Sequence, residues 1–156
     1  MQAYSLVLLT AGLVVTADNS SGRTAKQERK QLAGAWKLVS VTRDGHPVLR
    51  KTLKKHRAVA IFRGKRMLGW MDNRVYNDAT FKVDPSKNPK TIDMTDRRGK
   101  DKGKKQRGIY EISGNTLKIC HTEPAPGRER PTEFSAKEGS GQTLEVYKRI
   151  RSQKRR

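Results

Sequence analysis

The sequence predicts an all-β domain, an antiparallel β-barrel of about eight strands with a short N-terminal helix. Most of the chain consists of short apolar runs rich in β-branched and aromatic residues, separated by Gly, Asn, Asp and Pro. Without long crossover helices such strands cannot form a parallel sheet. An open antiparallel sheet of this size would leave two unpaired edges, which closure into a barrel removes.

The first 17 residues, MQAYSLVLLTAGLVVTA, predict a signal peptide. The segment carries no charge, and its apolar run 6–15 is too short to span a bilayer as a helix. Val15-Thr16-Ala17 places small residues where a signal peptidase cleaves, so we expect cleavage after Ala17. The usual Lys or Arg before the apolar run is missing, and the alternative is a buried first strand. The predicted localisation is export to the periplasm, the cell envelope or the medium.

The next segment, 18–31, is predicted to be polar and to contain the helix. Residues 24–32 favour a helix, with Thr24 as N-cap and Gly34 as the stop. The domain itself is predicted at 32–150. Asp44-Gly45, Gly64, Gly114-Asn115 and Gly139-Ser140-Gly141 predict turns between strands. The predicted strands are 36–42, 58–62, 67–71, 79–83, 91–95, 108–112, 116–121, 132–135 and 143–150.

Within these strands apolar residues recur two positions apart, which predicts one buried face per strand. Leu117 and Ile119 are an example. The predicted core consists of Trp36, Leu38, Val59, Ile61, Phe81, Val83, Ile92, Met94, Tyr110, Ile112, Leu117, Ile119, Leu144 and Val146.

Charge distinguishes this chain most strongly. Its 156 residues contain 35 Lys and Arg against 15 Asp and Glu, a formal net charge of +20. Cations concentrate in three stretches, 50–57, 97–107 and 148–156, and the last of these ends in a basic tail at 151–156. The middle stretch, RRGKDKGKKQR, lacks apolar residues and predicts a loop. The predicted polyanion-binding residues are Arg97, Arg98, Lys100, Lys102, Lys104, Lys105 and Arg107.

Several motifs in order resemble an uncharacterised exported domain family expanded in planctomycete bacteria. They are GAW after the helix, VTRDGHPV, FKVDPSKNPKTIDMT, GIYEISGNTLKIC and RPTEFSAKEGSGQTLEVYKR. The resemblance covers residues 32–149. It implies a small exported domain with a lipocalin-like barrel and no established activity. The basic run 97–107 and the tail SQKRR depart from the family pattern.

Gly34-x-Trp36 also resembles the opening of lipocalins, in which the Trp closes one end of the barrel beneath an Arg. Arg149, at the end of the last predicted strand, is the expected partner. The resemblance therefore assigns structural roles to Gly34, Trp36 and Arg149.

No catalytic residue, metal ligand or cofactor is predicted. His46, His56 and His121 are widely spaced. Cys120 and His121 are strand neighbours that point to opposite faces, so they cannot pair, and Cys120 is predicted to pack internally. The carboxylates on strands or at strand ends are expected to form surface ion pairs. They are Asp84, Asp93, Glu111, Glu133 and Glu145.

The leading hypothesis is an exported, non-enzymatic binding module. Its expected partner is an anionic envelope polymer, a lipid surface or an acidic protein. One alternative is a lipocalin-like carrier of a small ligand in the barrel. Another is a hydrolase built from rim carboxylates and His121. Nucleic acid is disfavoured because the basic stretches contain no aromatic residue, and a monomer is expected.

Overall fold

A computed structural model describes residues 22–151 and confirms the predicted antiparallel β-barrel. The predicted signal peptide 1–17 and residues 152–156 of the basic tail lie outside the described residues. No helix within 22–151 has the length and apolar character needed to cross a membrane. The elements are α1 (Ala25–Leu32), β1 (Gly34–Arg43), β2 (His46–Pro47), α2 (Arg50–Lys55), β3 (Val59–Arg63), β4 (Arg66–Met71), β5 (Arg74–Asp84), β6 (Thr91–Asp96), β7 (Lys105–Ser113), β8 (Thr116–Thr122) and β9 (Gln142–Arg149).

Eight strands form the barrel, in the order β1-β3-β4-β5-β6-β7-β8-β9, and β1 pairs with β9 to close it. The short strand β2 pairs with β1 outside the barrel. All pairings are antiparallel, and four of the eight connections between consecutive strands are two-residue hairpins with Gly, Asp or Asn at positive φ. A bulge in β1 between Leu38 and Ser40 lets this strand follow the curvature of the closed sheet.

The predicted helix is α1, and it closes one end of the barrel, which we call the base. Thr24 is its N-cap and forms a capping box with Gln27. The Trp36 indole N–H donates to the Leu32 carbonyl at 2.7 Å, which ties the helix to the first barrel strand. Glu28 is fully buried and accepts hydrogen bonds from Lys90 Nζ at 2.7 Å and Tyr110 Oη at 3.0 Å.

Large side chains fill the barrel near the base. Trp36, Phe62, Phe81 and Tyr110 are all buried, and the two phenylalanine rings meet edge to face with centroids 5.2 Å apart. Of the predicted core, the residues that are buried are Trp36, Leu38, Phe81, Val83, Ile92, Met94, Tyr110, Leu117 and Ile119.

Two parts of the predicted core are wrong. In β3 the buried side chains are Ala60 and Phe62 rather than Val59 and Ile61. Both alternating sets of this strand are apolar, and the small Ala60 lies opposite the bulky Trp36, where it leaves room for the indole. In β9, Leu144 and Val146 are only partly buried, and Tyr147 is the buried apolar residue. Ile112, close to the end of β7, is partly buried and packs against the core.

The predicted strand at 132–135 is also wrong. The connection between β8 and β9 is irregular and lies across the outside of the barrel. Arg130 donates to the carbonyls of Ile92 and Gly108, and the Cys120 thiol donates to the Ser135 carbonyl at 3.0 Å. Because this segment bonds to the outer face of strands that already have two neighbours, it cannot add a strand. Sequence analysis also missed β2 and α2, which are short.

Candidate functional site

The end of the barrel opposite α1, which we call the mouth, carries a polar pocket. Residues of several strands line it, and it has a volume of about 170 Å³. Tyr147 Oη donates to Glu145 Oε2 at 2.7 Å, and His121 Nε2 lies 3.8 Å from the same oxygen. Arg43, at the end of β1, adds a positive charge. We call this space the mouth pocket.

Tyr76 lines the mouth pocket and owes its position to a β-bulge. Gly69 pairs with Asn77 and Trp70 with Val75, so Tyr76 is the extra residue of β5. A Cβ atom on Gly69 would lie 2.7 Å from the Tyr76 Cζ, so the ring packs where only glycine leaves space. Burial of the hydroxyl end, followed by the nearby negative charge of Glu145, raises the pKa of Tyr76 to about 12. The residue as a whole is nevertheless 49 % exposed.

Tyr76 also lines a larger open groove of about 510 Å³ outside the mouth, which we call the mouth groove. One wall is the start of β5, with Val75, Tyr76 and Asn77. The other wall is the basic loop between β6 and β7, with Arg98 and Lys100. The volume lies within the range of about 300–1,000 Å³ that is typical of ligand sites.

Asp78 anchors the basic loop to the barrel. Its carboxylate, with 1 % of the side chain exposed, receives two hydrogen bonds from Arg66 at 2.8 and 2.9 Å. Arg97 Nη1 lies 3.1 Å from Asp78 Oδ1, and Arg98 Nε lies 3.0 Å from Oδ2. One carboxylate thus holds three guanidinium groups, so the cluster keeps an excess positive charge and presents further N–H donors at its rim.

The arginines, Arg66 first, lower the pKa of Asp78 from its ordinary value of 3.8 to about 2. A depressed carboxyl pKa stabilises the folded state above the unfolded value and loses this effect as pH falls through the folded value. We therefore expect Asp78→Asn to lower stability at pH 5 to 7, and the difference from the unaltered protein to shrink as pH approaches 2. Urea unfolding at each pH measures it.

Glu129→Gln is the control for this prediction, because Glu129 is exposed and makes no ion pair with another described residue. It should leave stability unchanged across the same pH range. A stability loss from Asp78→Asn that is constant down to pH 2 would contradict the proposed ionic origin.

The seven predicted polyanion-binding residues fall into two groups. Arg97 and Arg98 bond to Asp78, and Lys104 pairs with Asp101 at 2.8 Å. The remaining four make no ion pair with any described residue, and they are exposed. Lys105 also lines a depression on the outer face of β5 and β6, together with Lys65 and Lys82. The unpaired members are Lys100, Lys102, Lys105 and Arg107.

The residues given structural roles by the resemblance meet at the base. The Arg149 guanidinium lies 3.9 Å from the centre of the Trp36 ring and donates to the carbonyls of Gln31 and Ala33. Gly34 has φ +112° and allows α1 to turn directly into β1. This end of the molecule is closed, so the open mouth is the candidate functional site.

The other residues considered for chemistry are mostly separated. Asp93 lies 2.7 Å from Arg130, Glu111 lies near Lys118, and Glu133 bonds to Lys137, whereas Asp84 bonds to Ser86. Only Glu145 and His121 meet in a pocket. In the described part of the chain, no three His, Cys, Asp or Glu side chains gather in a way that could hold a metal ion. Cys120 is buried on the opposite side of β8 from His121, and burial raises the pKa of its thiol.

Sequence analysis missed Tyr76 and Asp78. The predicted strand began at 79, because residues 74–78 are mostly polar and do not alternate. The signal that would have extended it is Asp72-Asn73, a two-residue hairpin turn in which both residues have positive φ. The hairpin leads back along β4 and places Tyr76 beside a loop more than 20 residues later in the chain.

Comparison of the chain with protein-family models, with curated proteins and with solved structures finds no match.

Proposed function

We propose that this protein is an exported, non-enzymatic binding module that attracts an anionic envelope partner through the basic loop 97–107. The observation that carries the proposal is the set of exposed cations that make no ion pair with a described residue, Lys100, Lys102, Lys105 and Arg107, of which Lys100 lines the open mouth groove. Membership of the planctomycete domain family, with its lipocalin-like barrel, is part of the proposal. The Gly34-x-Trp36 motif under Arg149 supports the lipocalin likeness.

The location of the cations favours an extended partner. Arg98 and Lys100 face the mouth groove, whereas Lys105 lines the depression on the outer face with Lys65 and Lys82. A single small anion cannot contact both surfaces at once. A polymer with repeated negative charges can, and each neutralised charge releases a counterion, so its binding weakens as salt rises.

The barrel interior supports a surface-binding function over a carrier. Large side chains fill the base, and the mouth pocket of about 170 Å³ is smaller than the range typical of ligand pockets. Glu145 already accepts a hydrogen bond from Tyr147. Of the five carboxylates considered as candidate acids, Glu145 is the one that lies near His121. The pocket therefore offers little room for a substrate between an acid and a base.

The test measures binding of fluorescently labelled inorganic polyphosphate at several salt concentrations. The loop variant replaces Lys100, Lys102 and Lys105 with Gln. The matched control replaces Lys51, Lys54 and Lys55 of α2, which are also exposed and have the same total charge. The association constant K decreases with salt, so a plot of log K against log salt concentration has a negative slope. We expect the magnitude of this slope to decrease by about 3 in the loop variant, at about one per lysine, and to change little in the control.

Equal losses in the two variants would show that net charge, rather than the loop, attracts the polymer. Binding that does not depend on salt would overturn the electrostatic proposal altogether.

A further inference from the structure

We propose that the mouth groove binds one sugar residue of an acidic polysaccharide, with Tyr76 stacking on the sugar ring and Arg98 and Lys100 pairing with its carboxylate. This inference rests on the proposed function and names the chemical class of the anionic partner.

The first argument is the aromatic side chain. Tyr76 is half exposed, lines the groove, and is held in place by its packing over Gly69. The C–H groups of a sugar ring carry partial positive charge and are apolar, so they suit the negative face of an aromatic ring. A residue fixed by a bulge loses little conformational freedom when a ligand stacks on it.

The second argument is the mixture of polar groups around the ring. Asn77, Asp96 and Gln106 line the same groove, and Gln106 Nε2 donates to Asp96 Oδ2 at 3.0 Å. Amides and carboxylates provide both donors and acceptors, which sugar hydroxyls need. Arg98 and Lys100, on the opposite wall, supply the positive charge that a uronic acid carboxylate needs.

The third argument distinguishes a polysaccharide from a nucleic acid. Of the three carboxylates that line the groove, Asp78 is held by arginines and Asp101 pairs with Lys104, whereas Asp96 makes no ion pair with a described residue. The Asp96 carboxylate would repel the phosphodiester that accompanies every stacked base, because like charges at close range are unfavourable. A hydroxyl group of a uronic acid can instead donate to Asp96, while its single negative charge lies toward Arg98 and Lys100.

The test compares three soluble polymers by isothermal titration calorimetry, namely oligogalacturonate, inorganic polyphosphate and single-stranded DNA of the same total charge. Three variants are used: Tyr76→Ala, Tyr76→Phe and Gly69→Ala. We expect Tyr76→Ala to weaken oligogalacturonate binding about three- to tenfold and to leave polyphosphate binding unchanged. Tyr76→Phe keeps the ring and should retain oligogalacturonate binding.

Gly69→Ala tests the same ring without altering it. The new Cβ would lie 2.7 Å from Tyr76 Cζ, so the ring must move, and oligogalacturonate binding should weaken while polyphosphate binding persists. This variant keeps the proposal testable if Tyr76→Ala fails to fold.

The outcomes separate this inference from the proposed function. Oligogalacturonate binding that survives both Tyr76→Ala and Gly69→Ala, with salt-dependent polyphosphate binding intact, would overturn the stacking site alone. A larger loss for single-stranded DNA than for oligogalacturonate would assign the groove to nucleic acid instead. Failure of all three polymers to bind the unaltered protein would overturn both proposals.

Discussion

Replacing Trp36 with alanine is expected to lower the free energy of unfolding by about 3–5 kcal/mol. The indole is fully buried at the base of the barrel, donates to the Leu32 carbonyl and lies beneath the Arg149 guanidinium. Its removal leaves a cavity, an unsatisfied carbonyl and a guanidinium without its aromatic partner. All three losses fall at the junction of α1 and the barrel, so the helix should detach more readily.

The chain contains a matched control, because it has two tryptophans. Trp70 is 37 % exposed on the outside of β4, and Trp70→Ala should cost less than about 1 kcal/mol. Each variant retains one tryptophan, so fluorescence follows urea unfolding of both. Equal costs for the two substitutions would contradict the arrangement at the base.

Replacing Lys90 with methionine is expected to cost about 3 kcal/mol, the lower end of the range for breaking a buried ion pair. Glu28 is fully buried, whereas the Lys90 side chain keeps 32 % of its surface exposed, and solvent near the lysine moderates the effect. Without the ammonium group, the Glu28 carboxylate retains only the Tyr110 hydroxyl as a side-chain donor among the described residues. An inadequately compensated charge then remains inside the protein.

Two further variants isolate the cause of this loss. Lys87→Met changes an exposed lysine in the same connection between β5 and β6 and should be nearly neutral. Glu28→Gln combined with Lys90→Met removes both charges, and the glutamine oxygen can still accept from Tyr110, so most of the stability should return. Chemical unfolding measures all three. A double variant as unstable as Lys90→Met alone would show that packing, not charge, is responsible.

The strands with clean alternation were predictable from sequence. In β8, the apolar residues Leu117 and Ile119 lie on either side of Lys118 and follow a Gly-Asn turn, so both the strand and its buried face could be identified. In β3 the strand could be identified but not its buried face, because both alternating sets are apolar. The choice depended on contacts with other strands: Ala60 lies opposite the bulky Trp36 on β1, and the Phe62 ring meets the Phe81 ring of β5 inside the barrel.

The candidate site also combines residues that were predictable from sequence with residues that were not. The loop cations form a continuous run, and their charge is visible without a structure. Tyr76 and Asp78 occupy a polar stretch with no strand-like pattern, yet one provides the aromatic wall of the groove and the other holds three arginines. The segment 123–141 likewise contains a strand-like run, but it lies outside a closed sheet that has no edge left to extend.

The amino-acid sequence by itself determined the antiparallel barrel, the short N-terminal helix and the strong positive charge. Each depends on neighbouring residues or on composition: period-two alternation, turn residues and the excess of Lys and Arg. Only the tertiary structure decided which side chains face the mouth and that Tyr76 lies beside the basic loop. Those placements depend on barrel closure and on a bulge, which join residues far apart in the chain, and alternation within one strand carries no information about its neighbours.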